Sequence, residues 1–103
     1  MASILENCEG FEWDEGNSNK NWYLHRVTDK ESEEIFSNIP IIVAEDRGHS
    51  GREKRDQALG RTDSGRRLFV AFTVRNLLVR IITARDMNNR EDRRYEEEIE
   101  RNS

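Results

Sequence analysis

One cysteine, one proline and two histidines in 103 residues remove several classes of function before any motif is sought. Cys8 has no partner for an internal disulfide and no Cys or His at metal-ligand spacing, so it reads as a free thiol near the chain start, with no role. His25 and His49 form no H-x-x-x-H pair and no clustered Asp ladder accompanies them, so neither a metal site nor any other cofactor is expected. Gly48-His49-Ser50-Gly51 lacks the length and the following Lys-Ser/Thr of a nucleotide-binding loop. No apolar run approaches the roughly 20 residues that span a bilayer, and MASILENCEG has neither a basic head nor a long apolar stretch, so a cytoplasmic location is expected. No internal repeat or low-complexity linker is visible.

What is present is segregated charge. The chain carries −4 overall, yet residues 47–94 hold thirteen Lys and Arg against six Asp and Glu, a local +7, which leaves −11 for the rest. Twelve of the thirteen are Arg, whose planar fork pairs bidentately with phosphate or carboxylate, so a polyanion or a carboxylate-rich partner is the expected ligand. Solvated faces also account for much surface Arg. Arg75, Arg80 and Arg85, however, punctuate the apolar stretch Leu68 to Ala84, where charge is costly without a partner.

At this length one small domain spans residues 1–103, with a core built on the IIVAE, RLFVAFTV and LLVRIITA segments and with residues 1–9 and 98–103 expected to be flexible. Phe11 and Trp13 alternate with acids in a short strand, and Asp14 is expected to cap a helix that carries Ser18, Asn21, Trp22 and His25 on one face. Thr28 with Glu31 forms a capping box for a second helix whose apolar stripe is Ile35, Phe36 and Ile39, ended by Pro40. Residues 41–45 read as a strand, Asp46 to Gly51 as a polar loop, and residues 53–62 as a strand with Glu53, Arg55, Gln57 and Leu59 on one face. After the turn Asp63-Ser64-Gly65, the runs Leu68–Val74 and Leu77–Ala84 form a hairpin about Arg75-Asn76. Asp86 is expected to cap a last helix bearing Met87, Glu91, Tyr95 and Ile99, frayed from Glu96 to Ser103. The expected architecture is α+β, a small antiparallel sheet with helices covering one side.

His49, Glu53, Arg55, Arg80 and Arg85 supply the residue types of metal-free RNA cleavage, in which a base takes the 2′-OH proton, cations stabilise the phosphorane and an acid protonates the leaving 5′-oxygen. The same residues also suit a surface pair Glu53–Arg55 and an Arg80 that caps a core. Trp13 is expected in the core, Trp22 suits either packing or base stacking, and His25 suits a helix-end cap. A free-standing DNA binder is disfavoured, because no helix combines base-reading Arg positions with a helix-turn-helix or ribbon-helix-helix pattern.

Phe11-Glu12-Trp13-Asp14, Asn21, His25-Arg26-Val27, His49-Ser50, Glu53-Lys54-Arg55, Gly60-Arg61, Arg80-Ile81-Ile82-Thr83-Ala84-Arg85, and Glu91 with Tyr95 together resemble the BrnT family of type II toxins, over about residues 11–97. The resemblance implies a RelE-like ribonuclease fold, a messenger RNA substrate, growth arrest, and a BrnA-type DNA-binding antitoxin encoded alongside. It further implies that operator DNA is met only through the toxin–antitoxin complex, which represses its own promoter. On this reading Glu53 is the base, Arg55 and Arg80, with Arg85 as a further candidate, bind phosphate and stabilise the transition state, and His49 or Lys20 assists proton transfer. Lys20, Arg61, Arg85 and Trp22 would contact substrate. Members commonly carry Lys four residues after the Trp-Asp tryptophan and a Lys-His-Gly triplet at the first helix's end, where this chain has Asn17 and Leu24-His25-Arg26. Lys20, one turn before Leu24, and Arg26 are the candidate replacements. Alternatively, the chain is a catalytically weak homologue that binds the antitoxin as a co-repressor.

Overall fold

The computed structural model describes residues 8–45 and 54–102. Nine-residue strands β4 (Arg67–Arg75) and β5 (Leu78–Asp86) form the hairpin at the centre of a five-stranded sheet. On one side of it lie β3 (Asp56–Arg61) and the edge strand β2 (Ile42–Glu45); on the other, β1 (Gly10–Phe11) closes the order β1-β5-β4-β3-β2. The α+β class holds, but the sheet is mixed, since β1 runs parallel to β5 while every other pair is antiparallel. Two helical segments separate β1 from β2, and such a crossover frees the chain from hairpin geometry.

Leu68, Val70 and Phe72 of β4, Ala58 of β3, and Val79, Ile81 and Ala84 of β5 share one buried face. Against it pack Val27 and Ile35, from either end of α2 (Asp29–Glu34). Each fully buried Leu, Ile or Phe here stabilises the fold by about 1.5–3 kcal/mol. The capping box of α2 forms as expected, with Glu31 N–H on Thr28 Oγ1 and Thr28 N–H on Glu31 Oε1, both at 3.0 Å. The helix tightens into a 3₁₀ turn over Ile35–Ser37, so Ile39 leaves the stripe and is 77% exposed. Gly60 lets this turn approach β3: a Cβ there would lie 2.8 Å from Ile35 Cβ. Trp13 packs on the core and donates its indole N–H to Glu33 Oε2 at 2.6 Å.

The helices divide between both faces rather than covering one. Helix α3 (Asn89–Arg101) lies on the opposite face, where Tyr95 is fully buried and donates to Pro40 O at 2.7 Å, and where Arg67 pairs with Asp92 and Glu96. Asn88, not Asp86, caps it, in a capping box with Glu91. Asp86 still belongs to β5, and its carboxylate is bound by Arg66 at 2.7 Å.

Three further expectations shift in position. The hairpin turns at Asn76-Leu77, with β4 running on through Arg75; both turn residues have positive φ, 50° and 66°, which matches a two-residue type I′ turn and the sheet's twist. Helix α1 (Lys20–His25) starts six residues after Asp14, because Asp14 serves a separate turn, accepting Gly16 N–H at 2.8 Å, and Asn19 at φ 60° breaks the helical run. Strand β3 likewise begins at Asp56, and Glu53 lies outside the described residues.

β1 is too short to cover the outer edge of β5, and two asparagine side chains complete the task. Asn17 Nδ2 donates to Ile81 O and Glu12 O, and Asn21 Oδ1 accepts Ala84 N–H at 3.0 Å. Both side chains are buried, at 3% and 2% exposure. They replace ladder partners that an edge strand would otherwise lack.

Candidate active site

Strand parity would set Arg80 and Arg85 on opposite faces of β5, five residues apart. A β-bulge prevents this. Ala71 pairs with Thr83 but Phe72 with Ile81, so Ile82 is the extra residue and parity shifts by one. Arg80, Thr83 and Arg85 thereby join Thr73, Ala71 and Phe69 of β4, and Gln57 and Leu59 of β3, on the face away from the main core. Thr73 pairs with Arg80 and donates its hydroxyl to Lys54 O at 2.7 Å, which brings the Lys54-Arg55 entry of β3 to the Arg80 end of the sheet.

Arg80 is already engaged. Nη1 donates to Glu12 Oε1 at 3.1 Å and Asp14 Oδ2 at 2.9 Å, and Nη2 to Asp14 Oδ1 at 3.0 Å. These bonds hold Asp14 below its ordinary carboxylate pKa and Arg80 above its own. Among the described residues, Nε–H and one Nη2 hydrogen have no acceptor. Gly16 closes on the pair, since a Cβ there would come within 3.0 Å of Arg80 Nη2.

Arg85 is stacked on Phe69, 4.1 Å from the ring centroid, and paired fork to fork with Glu91 at 2.8 and 3.0 Å. Burial pushes the Glu91 carboxyl up, but the Arg85 bonds and the Asn88 N–H outweigh it and leave the pKa lowered. Burial drives Asp56 the other way, above its ordinary value, with Lys54 opposing and Glu45 adding to the rise.

The sequence candidates fall into separate places. His49 and Glu53 lie outside the described residues. Arg55 is half-buried and makes no ion pair among the described residues. Arg61 stands at the far end of β3, about 20 Å from Arg55 at roughly 3.3 Å per residue, and donates to Ile39 O at 2.8 Å. Lys20 and Trp22 are exposed on α1, along the β5 edge, and no described contact links them to Arg55, Arg80 or Arg85. Arg26 stacks on Trp22, 5.3 Å from the centroid, and at φ 57° closes α1 in a conformation suited to glycine. Arg66, which sequence reasoning did not single out, binds Asp86, Glu31 and the carbonyls of His25 and Arg26. No local pattern distinguishes it from its neighbours; only the tertiary contacts do.

The geometry is thus a sheet face with Arg80 at the end where the Lys54-Arg55 entry of β3 arrives, Arg85 two rows on, and α3 walling the far side. Such a face can hold and polarise phosphate. The profile of a family described as ribonuclease toxin, BrnT, of type II toxin-antitoxin system matches residues 13–91. The chain belongs to this family. No curated protein matches it. Membership in a type II family implies a cognate antitoxin, and the matched segment contains Arg55, Arg80, Arg85 and the Asn17 and Leu24 positions. Asn17 is a buried edge staple, whereas Leu24 is 63% exposed. No described helix is long and apolar enough to cross a membrane.

Proposed function

We propose that this BrnT-family chain is a metal-independent endoribonuclease toxin that cleaves messenger RNA and arrests translation and growth until a BrnA-like antitoxin binds it. The 2′-oxygen attacks the adjacent phosphorus and the bond to the 5′-oxygen breaks, leaving a 2′,3′-cyclic phosphate and a free 5′-hydroxyl. Glu53 takes the 2′-OH proton, Arg55 and Arg80 stabilise the dianionic phosphorane, and His49 protonates the departing oxygen. Operator DNA is met only through the antitoxin complex. The observation that supports this reading is the bulge that turns Arg80 and Arg85 to one face of the sheet.

A second reading, a weak homologue acting as an antitoxin-binding co-repressor, is favoured by the carboxylates that occupy Arg80 and Arg85 and by Leu24 at a family lysine position. Purified protein incubated with RNA in EDTA separates the two. Cleavage to cyclic-phosphate ends, with DNA untouched and activity lowered about 10²-fold in Glu53→Ala and Arg80→Ala, supports the nuclease. Intact RNA at high concentration of folded protein supports the co-repressor.

A further inference from the structure

Between the sheet and the first turns of α3 lies a recess of about 100 Å³. Its floor is Ile42, Leu59 and Phe69, its rim is Arg90 and Arg94, and the Gln57 amide stands at its side. Glu91 also borders it, but both carboxylate oxygens are held by Arg85. Arg90 and Arg94, one helical turn apart on α3, make no ion pair among the described residues, and Gln57 makes no side-chain hydrogen bond among them. This contrasts with the other long polar side chains of that sheet face: Arg61, Arg67, Arg80 and Arg85 are all bound.

Resting on the ribonuclease reading, we infer that this recess is a base-recognition site for single-stranded RNA, in which Gln57 reads an adenine edge while Arg90 and Arg94 hold its phosphate. A nucleotide has flat apolar faces, one polar edge and one anionic group, and the recess offers a partner for each. The primary amide presents a donor beside an acceptor, the pairing that adenine meets with N6–H₂ and N7. Unstacked bases are recognised in this way, against apolar side chains and Arg planes. An acidic protein segment would also meet the cations and, through a backbone peptide, the amide, so antitoxin binding at the recess is the competing outcome that the test separates.

The test titrates AMP, GMP, CMP and UMP into the full chain, observed by NMR, and compares Gln57→Glu, Gln57→Leu and the double variant Arg90→Ala/Arg94→Ala. AMP should bind tightest and shift the Gln57 side-chain amide. Gln57→Glu, which exchanges the donor for an acceptor, should weaken AMP about tenfold and move the ranking toward GMP, whose N1–H and N2–H₂ are two donors. Gln57→Leu should level the ranking, and the double Arg variant should weaken all four nucleotides alike. These binding readouts survive even if the protein cuts no RNA, so failure of the nuclease reading is seen separately. Equal binding of the four nucleotides, shifts confined to residues outside the recess, or an unchanged ranking in Gln57→Glu overturns the assignment. So does protection of the recess by the antitoxin with no nucleotide bound there.

Discussion

Replacing Arg66 and replacing Arg55 should have opposite signatures, although both are arginines of the same basic segment. Arg66 is 27% exposed at its side chain, pairs with Asp86 through Nε at 2.7 Å and touches Glu31 at 3.3 Å. It also donates to Arg26 O at 2.8 Å, while the bond to His25 O at 3.4 Å is weak. Asp86 is 64% exposed, so that pair counts at the surface value of about 0–1 kcal/mol. The charge-assisted bond to the carbonyl that ends α1 adds about 1.5–2 kcal/mol. Arg66→Ala should therefore cost about 2–3 kcal/mol, a fall in Tm of roughly 10–20 °C for a domain of this size. Arg55, with no ion pair among the described residues, should cost less than about 0.5 kcal/mol on removal yet lower RNA cleavage about 10²-fold. Calorimetry gives the first quantity and single-turnover cleavage, well below both melting temperatures, gives the second. A Tm loss under about 4 °C in Arg66→Ala, or equal destabilisation by the two changes, refutes the division between folding and functional cations.

Gly60→Ala drives a Cβ to 2.8 Å from the buried Ile35 Cβ and should cost about 1–3 kcal/mol by denaturant unfolding; no loss would mean that the 3₁₀ turn moves freely over β3. Leu77→Gly relieves a side chain at φ 66° in an exposed turn and should raise stability by about 1 kcal/mol, an outcome that thermal melts check directly. Leu24→Lys, at a position 63% exposed, should fold within about 0.5 kcal/mol of the parent and lower KM with kcat unchanged, so a rise in kcat would bring residue 24 to the reacting phosphate. On acidification, Glu91, Asp86 and Asp14, all with lowered folded pKa, contribute fully above the ordinary carboxylate range of about 4 and lose that contribution as pH falls through their folded values. Asp56, with a raised pKa, has the opposite sign: its cost is absent at low pH and grows as pH rises through its folded value. The fall in Tm between about pH 5 and pH 3 that the three lowered groups produce should be larger in Asp56→Asn than in the parent. An equal or shallower fall in that variant contradicts the Asp56 assignment.

Local chemistry was legible where the physics is local. Thr28 with Glu31 announces its capping box, the β-rich runs announce the hairpin, and the spacing of Glu91, Tyr95 and Ile99 announces the buried stripe of α3. Asn88 with Glu91 carries the same signature as Thr28 with Glu31, but Asp86 offers a competing cap, and only the length of β5 decides between them. The parallel pairing of β1 and the bulge at Ile82 left no trace in residue type, because both follow from which strand lies alongside. That bulge matters most for the site: alternation alone places Arg80 and Arg85 back to back, and one inserted residue brings them to a common face. The two edge staples escape for a related reason, since an Asn that caps a distant carbonyl looks like any polar loop residue until the β5 edge is known to be short of a partner.

Charge was legible in sum but not in availability. Of the cations described between residues 54 and 94, Lys54 pairs with Glu45, Arg61 with a carbonyl, and Arg66, Arg67, Arg75, Arg80 and Arg85 with carboxylates. Glu12, Asp14 and Glu31, which meet Arg80 or Arg66, come from the acidic N-terminal part, so the two halves of the charge pattern partly satisfy each other, while Asp86, Asp92 and Glu91 serve Arg66, Arg67 and Arg85 within the basic segment. The segregation that suggested a polyanion partner is therefore in part the record of an internal one. Arg55, Arg90, Arg93 and Arg94 are the cations of this span with neither an ion pair nor a side-chain hydrogen bond among the described residues, and Arg90 and Arg94 border the recess. Substituting those four can separate RNA binding from stability. Substituting Arg80 or Arg85 changes both at once, so the Arg80→Ala cleavage assay needs a melting curve beside it: each change that removes a phosphate-binding cation also strands a carboxylate that the fold has already neutralised.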